Sequence, residues 1–121
     1  MVGGDFRSLN IWKKARELVL VIYKLTSNFP KDERFGLIDQ IRRASCSIAA
    51  NIAEAHGRFY YADKIRVLFQ ARGECYEVMS HLSLALGLGF LKQIDFDNLD
   101  KEFEGLGVGI NAYISSLKKT T

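Results

Sequence analysis

Residues 35–58, FGLIDQIRRASCSIAANIAEAHGR, constrain this chain more than any other stretch. The run predicts one long helix, yet it lacks the broad charged face of a surface helix. At 100° per residue, Leu37, Ile41, Ala44, Ile48 and Ile52 share an arc of roughly 80° and form the expected core face. A second arc carries Gln40, Arg43, Ser47, Asn51, Glu54 and Arg58. The remaining side, in the C-terminal half, is Cys46, Ala49, Ala50 and Ala53, residues too small to make a solvated face but small enough to let another helix approach closely. Such a helix is wrapped on most sides, by its own bundle or by a second subunit. Four helices alone seldom enclose one of their number, so Cys46, Ala49, Ala50 and Ala53 are expected at a subunit interface.

Three further helices are predicted around it. The first spans about 8–27, with Ser8 as N-cap and Trp12, Ala15, Leu18, Val19, Ile22, Leu25 and Phe29 at three- and four-residue steps. Pro30 ends it, because the residue before proline avoids the α region. The second helix, about 35–56, closes at Gly57, read as a left-handed C-terminal cap, with His56 and Arg58 at the negative end of the dipole. The third covers about 61–86, with Ile65, Leu68, Phe69, Cys75, Met79, Leu82 and Leu86 as its stripe and Arg72 oddly placed within it. Gly73 inside that helix suggests a close crossing, and Gly87-Leu88-Gly89-Phe90 is the stop. The fourth covers about 97–118, where Leu99, Phe103, Leu106, Ile110, Tyr113, Ile114 and Leu117 repeat in near-heptad order. Short polar connections imply an all-α, antiparallel up-down-up-down four-helix bundle occupying residues 1–121 as a single domain.

Charge is unevenly spread. Residues 1–72 hold 13 Lys/Arg against 7 Asp/Glu, whereas residues 73–121 hold 4 against 7. A basic half can follow phosphates, or it can pair with the acidic half of the same or a neighbouring subunit. Lys13, Lys14, Arg16, Lys24, Arg34 and Arg42 are the candidate nucleic-acid contacts, most of them off the apolar stripes. No apolar run approaches the ~20 residues that span a bilayer, and MVGGDFRSLN has no signal-peptide core, so a cytoplasmic protein without a membrane partner is expected. Cys46 and Cys75 belong to no CxxC or CxxH pair and suit a reducing compartment.

The polar arc allows more than one reading. A structural network is one: Arg43 or Arg58 with Glu54, Asn51 on a neighbouring backbone, and Arg72 reaching a carboxylate such as Glu54. A ligand cleft or an RNA-contacting edge are the others. No phosphate loop, GxGxxG, GxSxG or HExxH motif occurs. Glu77-x-x-x-His81 has the wrong spacing for a di-iron bundle. No catalytic, metal or cofactor site is therefore expected, and no enzyme activity.

The run PKDERFGLIDQIRRASCSIAANIAEAHGR resembles the signature of the four-helix bundle proteins encoded in intervening sequences of bacterial 23S rRNA genes, distant relatives of the accessory variability protein of diversity-generating retroelements. Phe29, Pro30, Glu33, Gly36, Leu37, Gln40, Arg42, Arg43, Ala44, Ser47, Ile48, Asn51, Ile52, Ala53, Glu54, Gly57 and Arg58 match its pattern. LNIWKKARELVLVIYKLT resembles its first helix. Ala55 stands where the family usually has glycine, and Glu74 where it has serine. The resemblance implies a ring-forming homo-oligomer, most simply a homopentamer, and in the retroelement relative a basic surface associated with nucleic acid. It leaves two functions to separate: a bundle that binds RNA or DNA, and a protein-interaction scaffold or accessory subunit with no nucleic-acid affinity.

Overall fold

The computed structural model describes residues 4–120. Four helices and no strand occur among them: α1 (Asn10–Thr26), α2 (Leu37–Gly57), α3 (Tyr61–Gly87) and α4 (Gln93–Thr120), with single 3₁₀ turns at Phe6–Ser8 and Lys31–Glu33. The α2 core face is as the periodicity predicts. Leu37, Ile41, Ala44, Ile48 and Ile52 are all buried, joined by Ile38, Ser45 and Ala55. On α4, Leu99, Phe103, Leu106, Ile110, Ile114 and Leu117 are buried, while Tyr113 packs against the core half-buried.

Side-chain pairs fix how the helices lie. Thr26 and Tyr23 of α1 meet Arg42 and Cys46 of α2. Asn51 of α2 meets Glu74 of α3, and Arg72 of α3 meets Asn111 of α4. Lys14 of α1 meets Glu102 of α4. Ile11 of α1 also approaches Gly109 of α4, where an added Cβ would lie 3.3 Å from Ile11 Cγ2.

Several local expectations are corrected. Ser8 does not cap α1: it lies in the 3₁₀ turn, where its hydroxyl donates to the Asp5 carbonyl at 2.7 Å, and α1 starts two residues later than predicted. α2 also starts two residues late, because residues 31–33 form their own turn and the Glu33 carboxylate accepts from the Leu37 N–H at 3.1 Å. Gly57 is no left-handed cap, since among the described residues only Gly4 and Gly89 have positive φ. The helix instead runs through Gly57 and ends with Arg58 extended.

The left-handed stop is Gly89, at φ 80°. The Phe90 N–H donates to the Ala85 carbonyl at 2.9 Å and the Gly89 N–H to that of Leu86 at 3.0 Å, the paired bonds of a Schellman motif. That sharp reversal lets α4 begin at Gln93, four residues before the predicted start. Phe90 then packs on Phe29, ring centroids 5.7 Å apart, so both turns at that end of the bundle are pinned to one aromatic contact.

The α3 stripe is turned from its predicted position. Val67, Leu68, Ala71, Cys75, Val78, Leu82 and Ala85 are buried, whereas Phe69 is exposed and Ile65, Met79 and Leu86 are half-buried. Small and β-branched residues carry the core side because α2 and α4 both press against it. Arg72 therefore sits at the margin of the stripe rather than inside it. Gly73 marks no close crossing, as an added Cβ would meet nothing within 4 Å.

Candidate nucleic-acid interface and the polar seam

The six basic candidates separate by what their charges already do. Lys13, Arg16 and Lys24 are exposed on α1, and none has an acidic partner among the described residues. Their spacing puts them on the helix face opposite Ala15, Leu18 and Ile22, which are buried. Arg34 is exposed beyond the end of α1, its guanidinium 5.3 Å from the Phe35 ring centroid. Lys14 is ion-paired with Glu102 across the α1–α4 contact.

Arg42 is committed to the fold. Its Nε donates to Thr26 Oγ1 at 2.9 Å and its Nη2 to the Tyr23 carbonyl at 3.3 Å, while its plane covers the Tyr23 ring at 4.5 Å. A cation at the C-terminus of α1 meets the negative end of the helix dipole, and Arg42 adds a donor to the Tyr23 carbonyl, which also accepts the Ser27 N–H at 3.2 Å. Lys64 repeats this device one helix on. It is 7% exposed, and its ammonium donates to the carbonyls of His56, at 2.8 Å, and Ala55, at 3.3 Å, in the last turn of α2. Burial holds its pKa below the usual lysine value. Sequence reasoning missed Lys64, whose signal was a lysine in the first turn of a helix, where a carboxylate is the better dipole partner.

The polar arc of α2 meets α3 at Asn51 and otherwise forms short pairs along its own helix rather than one network. Asn51 Nδ2 donates to Glu74 Oε1 at 2.7 Å, a side chain and not the expected backbone group. Burial raises the Glu74 pKa; the Asn51 bond opposes that rise and the neighbouring Glu77 charge adds to it. Arg58 pairs with Glu54 one turn away. Arg43 takes Asp39 at 2.8 Å, not Glu54. Arg72 does not reach Glu54 either: its Nη1 donates to Asn111 Oδ1 at 2.9 Å and its plane lies 5.2 Å from the Phe69 ring. Gln40 is exposed.

The small-residue side of α2 is used partly by the chain itself. Cys46 Sγ lies 3.8 Å from the Tyr23 hydroxyl, a contact that raises the tyrosine pKa, and Ala49 packs against the core. Ala53 is half-buried, at the next step of the 42-46-49-53 series that faces α1. Ala50 alone of the four is exposed. Cys75 is buried on α3, where its thiol is pushed up to about 12 by burial, leaving it inert as a nucleophile at neutral pH.

The described residues contain no group of three or more His, Cys, Asp or Glu placed to hold a metal ion. None of the described helices is long and apolar enough to cross a membrane.

Comparison with known proteins settles the family. A family model described as "23S rRNA-intervening sequence protein" matches residues 7–112. The chain belongs to that family. No curated protein sequence matches it. Among solved structures, the fold is similar to that of a protein of unknown function from the S23 ribosomal protein family of Bacteroides thetaiotaomicron, with a TM-score of 0.80. The two are 23% identical over 87% of this chain and 95% of the other. At that identity the likeness concerns the fold alone.

Proposed function

We propose that this protein is a non-enzymatic, ring-forming bundle of the cytoplasm that binds RNA or DNA through the outer face of α1. The observation that carries this reading is the row of Lys13, Arg16 and Lys24, exposed and without acidic partners among the described residues, while Lys14 and Arg42 are occupied by Glu102 and by the end of α1. From Lys13 to Lys24 the row extends about 16 Å along the helix. Unpaired ammonium and guanidinium groups on a rigid face attract phosphates and release their counterions.

Pairings across α1–α2, α2–α3, α3–α4 and α1–α4 support an antiparallel up-down-up-down order, which leaves the α1 face free along its whole length. Ring formation is supported by the exposed Ala50 side of α2 and by the family resemblance, which implies a homopentamer. A ring repeats the cationic row once per subunit, so weak phosphate contacts add up through multivalency. The competing reading, an interaction scaffold without nucleic-acid affinity, is favoured by the exposure of Phe35, Phe59 and Tyr60, aromatic residues of the kind that anchor protein interfaces.

Electrophoretic mobility shift across a salt series separates the two. Binding at low salt should weaken with log[salt] at a slope of about −0.9 per phosphate neutralised on duplex DNA. Replacing Lys13, Arg16 and Lys24 together by glutamine should lower both affinity and slope. Absence of binding by the unmodified protein at low salt refutes the nucleic-acid reading and leaves the scaffold.

A further inference from the structure

On the side of the bundle away from the α2–α3 seam, α1 and α4 leave a cleft of about 320 Å³ between them, within the size range of small-molecule sites. Its floor is aliphatic: Leu18, Val21 and Leu25 from α1 and Leu99 from α4. Its rim carries Glu17 and Asp95, neither of which makes a hydrogen bond or ion pair among the described residues. The ion pair of Lys14 with Glu102 closes one end, so those two charges cancel and the cleft is left with two uncompensated carboxylates.

Those carboxylates are spaced along the cleft. Measured from the Lys14–Glu102 contact, Glu17 lies three residues further along α1 and Asp95 seven residues back along α4, in the same direction because the numbering of the two helices runs in opposite senses. At 1.5 Å rise per residue the two stations are about 6 Å apart along the axis, with Leu99 level with Glu17, Val21 level with Asp95 and Leu18 between them. A single metal ion suits neither the separation nor the floor, since hard cations gather oxygen ligands within about 2.0–2.6 Å. A molecule with two positive ends and an apolar middle suits both.

The geometry points to this cleft as a binding site for a linear aliphatic diamine, its ammonium groups at Glu17 and Asp95 and its methylene chain on Leu18, Val21 and Leu99. The diamine site uses carboxylates and the nucleic-acid reading uses Lys13, Arg16 and Lys24, with Glu17 one helical turn from Lys13 where the two surfaces meet. Rim carboxylates this open contribute modestly, and the aliphatic floor makes the ligand class specific.

Titration of the full chain with pentanediamine, followed by NMR at low salt, tests it. Saturable shifts should appear at the methyl groups of Leu18, Val21 and Leu99. Glu17→Gln and Asp95→Asn should each weaken binding about threefold to fivefold, the range of a partly screened ion pair, and pentylamine, with one ammonium group, should bind weaker than the diamine by a similar factor. Glu104→Gln removes an exposed charge of α4 outside the cleft and should leave binding unchanged. Pentylamine binding as tightly as the diamine, equal loss in Glu104→Gln, or shifts that never saturate would each overturn the assignment. Thermal melts of the variants confirm that folding is intact before affinities are compared.

Discussion

At the scale of single residues, charges inside this bundle serve helix ends and seams before they serve any ligand. Arg42 closes α1 and Lys64 closes α2, each reaching back from the following helix to carbonyls in the last turn of the preceding one. The first-turn position of Lys64 was a weak signal, but neither contact can be read from sequence, because it depends on which residue faces which across a helix crossing. The Asn51–Glu74 bond is of the same kind. The sequence identified Asn51 as a buried polar group in need of a partner and flagged Glu74 as a departure from the family pattern, but it could not join two residues on different helices. Burial raises the Glu74 pKa above its ordinary value of 4.5, so the folded state holds that proton more tightly than the unfolded chain does. The corresponding stabilisation is fully present below the unfolded value and is lost as pH rises through the raised folded one. Glu74→Gln keeps an acceptor for Asn51 and abolishes the charge. Its urea midpoint should exceed that of the parent at neutral pH, and the gap should close below about pH 4. Midpoints that stay equal across that range would contradict a desolvation cost at this carboxylate.

At the scale of the element, three of the four core faces are visible in the sequence and one is not. α1, α2 and α4 each bury a single stripe of large aliphatics, which three- and four-residue spacing reveals. α3 lies against both α2 and α4, so its buried side is wide and filled by Ala71, Cys75, Val78 and Ala85 beside Leu68 and Leu82. Small residues give a weak periodic signal, and the larger Phe69 drew the predicted stripe toward the solvent side. The glycines of α4 differ from one another for a related reason. Gly105 is exposed and a Cβ there would meet nothing within 4 Å, whereas at Gly109 it would lie 3.3 Å from Ile11 Cγ2. Both substitutions to alanine gain the same intrinsic propensity, about 0.8–1 kcal/mol. Gly105→Ala should realise that gain as added stability in urea unfolding. Gly109→Ala should realise less or none, because the Ile11 side chain must give way by a few tenths of an ångström to admit the methyl group. Equal gains at the two sites would show that α1 and α4 are loosely held at Ile11.

At the scale of the whole molecule, the family signature at residues 29–58 identifies the architecture, and the surface decides what the architecture is for. Cys46, Ala49 and Ala53 lie on the side of α2 that faces α1, where one chain already uses their small size. Of the expected interface residues Ala50 is the most open, exposed where Cys46, Ala49 and Ala53 are half-buried. The sequence could not make this distinction, since an alanine under a neighbouring helix of the same chain and one under a second subunit look alike. Ala50→Glu separates the two roles. An exposed glutamate costs a helix interior little in propensity, so circular dichroism and the unfolding midpoint of the isolated chain should hardly change. Across a packed subunit boundary the same carboxylate would be desolvated without a partner, at a cost of several kcal/mol, enough to shift an assembly by orders of magnitude in concentration. Light scattering coupled to size exclusion should therefore report a multimer for the parent and smaller species for the variant, with helicity retained in both. A variant that keeps the parent's mass would move the subunit interface away from α2. A parent that runs as a monomer would remove the ring, and with it the multivalency that lets the three cations of α1 hold a nucleic acid.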